Sequence, residues 1–302
     1  MKKIIEKCGN EIRITGRLLR IGQPEGDGYQ SLDAPETMLE SLRTSGVRVD
    51  LFTFLELQPG AQPRYQYPVE WDNAAVVPVS TFNQWWNHQI RPEARNRARQ
   101  AEKKGVVIRE IPFDDTLVKG IWEIYNESPL RQGRRFPHYG KDFKTVYAEA
   151  ATFLDSSFFI GAFIGDRLIG FVKLTMDESR TRVNLMNILS LIEHRDKAPT
   201  NALIAHSVRA CEARGITQLV YQRFAYGSKQ TDGIMKFKQV NGFQRVDLPR
   251  YYVPLTLLGR VALRLGLHHP LVNHLPESVK VKLRWLRDFC YGRMLQTVKG
   301  SA

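Results

Sequence analysis

Arg195-Asp196-Lys197-Ala198-Pro199-Thr200-Asn201, a helical pattern ending at Arg214-Gly215, the apolar run Gln218-Leu219-Val220-Tyr221, and Phe237-Lys238-Gln239-Val240-Asn241-Gly242-Phe243 form the stretch that decides how this chain folds. In order they predict a positively charged loop, a helix over 199–213, a buried strand over 217–223, a short helix over 231–240 and a Gly-Phe turn into a last strand near 243–254. Pro199 can open the first helix without wasting an N–H, and Thr200 and Asn201 add short polar groups beside its exposed amides. Arg195 and Lys197 bring charge to the same place, which suits the phosphates of a carrier held at a helix N-terminus.

Upstream, Phe158 to Ile164 and Leu168 to Leu174 flank Gly165-Asp166, a hairpin signal, and a further strand covers about 181–191. Before them come a helix over about 115–128, an irregular basic loop over 129–140 and a helix over about 141–152. A basic helix opens at Arg91-Pro92-Glu93 and runs through Arg95, Arg97, Arg99, Lys103 and Lys104 to Gly105, which suits a left-handed C′ position. Towards the N-terminus, Ile12 to Gly16 and Val47 to Phe54 alternate as half-buried strands do. Asp33 can cap a helix starting at Ala34-Pro35-Glu36, and 58–70 reads as a surface loop. After Pro254, Leu257, Leu258, Val261 and Leu265 share one helical face, as do Val279, Leu283, Leu286 and Cys290, with arginines and lysines between them.

These elements imply an α/β fold: a mixed sheet flanked by helices, with an abbreviated N-terminal α/β half and a basic helical C-terminal tail. The regions divide as 1–104, 105–255 and 256–302, the tail packing on the domain or lying on an anionic membrane. The 302 residues, 43% hydrophobic and 25% charged, describe an ordinary globular chain. No apolar run approaches the roughly 20 residues needed to span a bilayer, and the N-terminus lacks a signal-peptide pattern. Cys8, Cys211 and Cys290 show no paired spacing, so neither a disulfide framework nor a zinc site is expected. The expected location is the cytoplasm, with peripheral membrane contact as a variant. A net charge of +13 points to phosphate-bearing partners: nucleotides, coenzyme A, tRNA or an anionic membrane. No metal-ligand spacing, nucleophile elbow or Walker A loop is visible, and no metal is expected.

The order hairpin, strand, Arg-containing loop, helix, strand, short helix, Gly-Phe resembles the GNAT superfamily of N-acyltransferases. Its phosphate loop usually reads Gln/Arg-x-x-Gly-x-Gly/Ala; here Arg195, Ala198 and Thr200 stand at those positions, so the arginine is kept and both glycines are replaced. A closer resemblance, over roughly 80–255, is to the Fem-type branch, aminoacyl or peptidyl transferases of peptidoglycan precursors. It is carried by Arg95 to Val106, by Ala198 to Ile204 and by Phe237-Lys238 before Gly242. The resemblance implies N-acyl or aminoacyl transfer from acyl-CoA or aminoacyl-tRNA, a co-substrate and not a tightly bound cofactor, to an amine acceptor such as a glycan or cell-envelope precursor.

It also implies roles. Many GNAT enzymes place a tyrosine where this chain has Lys238, so Lys238 is expected to stabilise an oxyanion or leaving group, a role in which one lost donor costs about 10²–10³ in rate. Glu127 or His138 is the expected base, and Arg195, Lys197, Thr200 and Asn201 are the expected carrier ligands. Arg131, Arg134, Arg135 and Tyr139 of the basic loop, Tyr221, Gln222 and Arg223 at the strand end, and Phe237 are expected to contact substrate. The competing expectation is a non-catalytic GNAT-fold module that holds RNA or an anionic membrane face through the Arg91 to Lys104 helix. It predicts binding that falls steeply with salt.

Overall fold

The computed structural model describes residues 2–26, 32, 34–57, 62–225, 233–269 and 282. Its strands are β1 (Lys2–Lys7), β2 (Asn10–Thr15), β3 (Ile21–Pro24), β4 (Leu51–Leu55), β5 (Val69–Pro78), β6 (Val107–Ile111), β7 (Leu130–Arg131), β8 (Arg134–Arg135), β9 (Ser157–Ile164), β10 (Arg167–Met176), β11 (Arg182–Ser190), β12 (Gln218–Gln222) and β13 (Gln244–Pro254). The α-helices are α1 (Pro35–Thr44), α2 (Phe82–Gln84), α3 (Pro92–Lys103), α4 (Asp115–Asn126), α5 (Phe143–Ala150), α6 (Pro199–Ala213), α7 (Gly233–Val240) and α8 (Leu257–Arg264). The expected α/β class stands: one mixed sheet of 11 strands, ordered β1-β2-β3-β4-β13-β5-β12-β11-β10-β9-β6, flanked by helices.

Local chemistry sets most boundaries. Thr81, Asp114, Asp142 and Thr256 each accept a backbone N–H with the side chain and so cap α2, α4, α5 and α8. The basic loop contains a small hairpin, β7 with β8, not anticipated from its sequence. The segment from 58 to 70, read as a loop, gives way to β5 at Val69. That strand is central, with β13 on one edge and β12 on the other. The strand expected from Val47 starts only at Leu51; ahead of it, buried Asp50 accepts from Arg20 N at 2.9 Å and Arg48 Nε at 3.0 Å instead of continuing the ladder. The proposed Asp33 cap and the second tail helix lie outside the described residues. Because β5, from the first 104 residues, sits between β13 and β12, the N-terminal region and the region from 105 to 255 share one sheet.

Of the two expectations for the tail, helix α8 does not show packing through its apolar stripe. Leu257, Leu258, Val261 and Leu265 are exposed, whereas Gly259 and Ala262 are buried. A Cβ at Gly259 would sit 1.8 Å from the Asp50 carbonyl oxygen, so only glycine allows this approach of helix to strand.

The core runs on both faces of β9–β12. Val183, Leu185 and Leu219 point to the α6 side and join the largest apolar cluster, while Val220, Ala74, Val76 and Leu248 form a separate cluster on the other face. Cys211, on α6, is fully buried, and burial pushes its thiol up to about 12, the state of an inert core residue.

One irregularity positions the site. Opposite Lys173 and Leu174 of β10 stand Asn187 and Leu185 of β11, leaving Met186 as an extra, bulged residue. A bulge bends its strand and turns its residues. Accordingly, β11 pairs in parallel with β12 only at Arg182 to Asn184, then runs on to Ser190 without it. The two strands diverge, and the mouth of the divergence opens beside the N-terminus of α6.

Candidate functional site

β11 leads into a 3₁₀ turn, Ile192–Lys197, and that turn is pinned from two sides. Glu127, at the end of α4, accepts the Ile192 N–H on both carboxylate oxygens, at 2.6 and 2.7 Å, and the Glu193 N–H at 3.1 Å. From the other side α3 reaches over: Lys104 Nζ donates to Asp196 Oδ2 at 2.8 Å and Gln100 Nε2 to the Asp196 carbonyl at 2.8 Å. Ala198 then adopts a left-handed backbone, φ 52°, and α6 starts at Pro199 without a side-chain cap. Where the family pattern has a glycine, alanine takes the left-handed conformation, at roughly 1–2 kcal/mol.

A pocket of about 470 Å³ lies at this helix start. Arg195, Ala198, Thr200 and Asn201 line it, with Ile188 to Ser190 from the diverging part of β11, Phe237 from α7 and Arg131 from the hairpin. Of the expected residues, then, Arg131, Arg195, Thr200, Asn201 and Phe237 converge. Arg97 of α3, read from sequence only as part of the basic helix, and Lys236 of α7, not singled out there, add two cations, and Glu93 adds one carboxylate. The signal for Arg97 was its helical spacing from Glu93, which puts both on one face.

Arg131 is held firmly. Its guanidinium donates to the Ser190 and Ile124 carbonyls, both at 2.7 Å, and to Glu127 at 3.1 Å, and it lies 4.8 Å over the Phe136 ring. Its Nε is buried with no hydrogen-bond partner among the described residues. Burial pushes Arg131 below the ordinary arginine range; Glu127 opposes that and the nearby charge of Arg195 reinforces it. Two cations so close at an uncapped helix N-terminus make an electropositive hollow suited to an anion. Asn201 also serves the fold, donating from Nδ2 to Asn241 Oδ1 at 3.2 Å.

The remaining expected residues stand elsewhere. Lys197 turns to His194 Nδ1, 3.0 Å away, and to Asp196. Lys238 is fully buried on the side of α7 away from Phe237; its Nζ donates to the Gln222 carbonyl at 2.9 Å and to the Arg223 carbonyl, and sits 4.0 Å over the Tyr221 ring. His138 stacks on Tyr125 at 4.4 Å and meets Lys141 Nζ at 3.1 Å; burial first, then the Lys141 charge, keep it below the usual histidine range and so neutral. Arg134, Arg135 and Tyr139 are exposed on the hairpin and the turn after it. Gln222 and Arg223 line a cleft on the opposite face of the sheet.

The basic helix α3 is not a free rod. Ala94, Ala98 and Ala101 bury against α6, and Arg99 lies 5.6 Å over the Trp86 ring. One group, Glu70 with His268 and His269, brings three donor atoms within 4.8 Å of one another. We assign no metal to it: metal-bound imidazole donates its other N–H, yet among the described residues the buried His268 Nδ1 has no partner, while its Nε2 meets Glu70 Oε1 at 2.7 Å.

No protein-family model matches the chain, and no curated protein sequence matches it. Solved structures do. FemX is similar over 82% of this chain and 87% of its own, with a TM-score of 0.53 and 10% identity. L-PGS from Bacillus licheniformis is similar over 87% of this chain and 88% of its own, with a TM-score of 0.57 and 14% identity. The C-terminal domain of a protein described as a lysylphosphatidylglycerol synthetase from Agrobacterium fabrum matches over 87% of each chain, with a TM-score of 0.57 and 13% identity. The chain thus has the GNAT-like fold in its Fem-type form.

Proposed function

We propose that the chain moves an acyl or aminoacyl group from a phosphate-bearing carrier to an amine. The observation that carries this reading is the hollow at the start of α6, where Arg97, Arg131, Arg195 and Lys236 surround an uncapped helix N-terminus at the mouth of diverging β11 and β12. Phosphate belongs at such a helix end. The unpaired stretch of β11 offers backbone groups to the carrier's arm, and Phe237 offers an apolar wall. Acyl-CoA and aminoacyl-tRNA both fit this description. The name of one structural neighbour, a lysylphosphatidylglycerol synthetase, favours an aminoacyl cargo.

Within this reading Glu127 shapes the carrier loop, since its carboxylate is occupied by two backbone N–H groups and Arg131. Lys238 fixes the end of β12; acting on an oxyanion would require it to exchange a carbonyl for the reacting atom. His138, neutral, has the protonation state of a base, though it faces Lys141 and Glu149.

The test is thermal stability against acetyl-CoA, longer acyl-CoAs and aminoacyl-tRNA in turn. A carrier at a hundred times its Kd stabilises by about 2.7 kcal/mol, and the Arg195→Ala variant loses most of that gain. No shift with any of the three contradicts the proposal. The structural engagement of Lys238 and Glu127 favours a second reading, a module that holds the carrier without reacting. Carrier binding without transfer to any amine would select it.

A further inference from the structure

The cleft across the sheet from α6 shares strand β11 with the carrier pocket but none of its lining. It encloses about 310 Å³, at the lower end of small-ligand sites, over an apolar floor of Leu55, Val76, Val220 and Leu248. Its rim is polar, and it carries an unmet demand. Asn184 of β11 is 1% exposed, and among the described residues neither its Nδ2 nor its Oδ1 has a hydrogen-bond partner. Buried carboxamides are nearly always satisfied, because leaving water without a replacement is unfavourable at both atoms. A ligand group that donates and accepts side by side, as an amide does, supplies what is missing.

The charges around it point the same way. Arg182 lies two residues earlier on β11 and so on the same face, about 6.6 Å along the strand. It makes one side-chain hydrogen bond, from Nε to Gln218 Oε1 at 3.3 Å, and no ion pair among the described residues. Arg13, Arg223 and Arg250 also line the cleft, where Asp72 is the one lining carboxylate, although Arg13 already pairs with Glu25 at 3.4 Å. Asp72 is 3.2 Å from Arg250 Nε and 3.9 Å from Arg223 Nη2. Arg223 has a left-handed backbone, φ 47°, with its carbonyl clasped by Lys238. Strain of that kind gathers at ligand sites when the surroundings enforce it. The cleft favours an anion, and with Asp72 in its wall a planar monoanion suits it better than a dianionic phosphate.

We propose that this cleft binds a small carboxylate bearing an amide, up to dipeptide size, with Asn184 pairing the amide and Arg182 the carboxylate. Binding stands independently of any transfer chemistry; that the bound molecule is the acceptor rests on the function proposed above.

The experiment titrates the full chain with N-acetylglycine, N-acetylglycinamide and inorganic phosphate. N-acetylglycine binds saturably, and the other two bind about tenfold more weakly or worse. Asn184→Leu weakens N-acetylglycine by about tenfold and raises the melting temperature of the free protein, because an unsatisfied amide has been removed. Arg182→Gln abolishes the preference for N-acetylglycine over its amide. Equal binding of phosphate, unchanged affinity in Asn184→Leu, or a lower melting temperature for that variant would each overturn the proposal. Saturable N-acetylglycine binding in a protein that binds no carrier would sink the transfer reading and leave this one standing.

Discussion

The two faces of the diverging strands are built differently. On the α6 side the pocket is made of the end of β11, a 3₁₀ turn, a helix start and residues along the whole of α7, all within 188–240 apart from Arg131, Gln132 and α3. On the other side the cleft is made mostly of side chains from β2, β3, β4, β5, β11, β12 and β13, brought together by strand order. The first face offers backbone dipoles and exposed cations for a charged handle. The second offers rigid strand side chains and a buried amide, which suits recognition of a small molecule's shape. A fold that divides carrier and small ligand this way can vary one without disturbing the other.

Lys238 is where the two faces meet, and removing it should do the most damage. Lys238→Met leaves the Gln222 and Arg223 carbonyls without their buried donor and releases the left-handed turn at Arg223. A loss of about 3 kcal/mol in urea unfolding is expected. A loss of transfer with stability unchanged would instead make the lysine purely catalytic. Next is Glu127→Ala, which frees the N–H groups of Ile192 and Glu193 and one side of Arg131. We expect about 2 kcal/mol of destabilisation together with weaker carrier binding, while N-acetylglycine affinity holds. If both ligands weaken equally, the two faces are not independent.

How much could be read from the sequence follows the same division. Residues 195–213 and 233–254 announced themselves through local signals: a proline at the helix start, helical spacing and alternation. The fold follows them closely, and Arg195, Thr200 and Phe237 line one pocket. β5 escaped notice because Trp71-Asp72-Asn73 is polar and follows a proline-rich stretch; its strand character comes from β12 and β13 on either side, a tertiary effect. Asn184 and Arg182 were visible as polar members of an alternating strand, yet what they face depends on Asp72 and Arg250 arriving from 112 and 66 residues away from Asn184 in the sequence, a placement that no local pattern contains. Leu257, Leu258, Val261 and Leu265 do not pack on the domain, one of the two expectations for the tail, because the helix docks through its smallest residues, against the usual rule for an amphipathic face.

Smaller effects sharpen the picture. Because the His138 pKa is held below its unfolded value of 6.5, the unfolded chain takes up a proton first as pH falls. Stability should therefore decline below about pH 6.5, and His138→Phe should flatten that part of the profile in pH-dependent denaturation. A slope that survives the substitution would assign it to other groups. Smallest of all is Ala198→Gly. Relief of the left-handed alanine and the greater freedom of glycine in the unfolded chain nearly cancel, so stability should change by no more than about 0.5 kcal/mol. A larger gain would show that the alanine strains the carrier loop.

The most direct test of two independent faces is a binding titration of acyl-CoA and aminoacyl-tRNA to the wild-type chain, to an Arg97→Ala/Arg195→Ala double variant and to Arg182→Gln. The account predicts that the double variant loses the wild-type protein's preferred carrier by about a hundredfold, with Arg182→Gln unchanged. Retained affinity in the double variant, or an equal loss in Arg182→Gln, would contradict it.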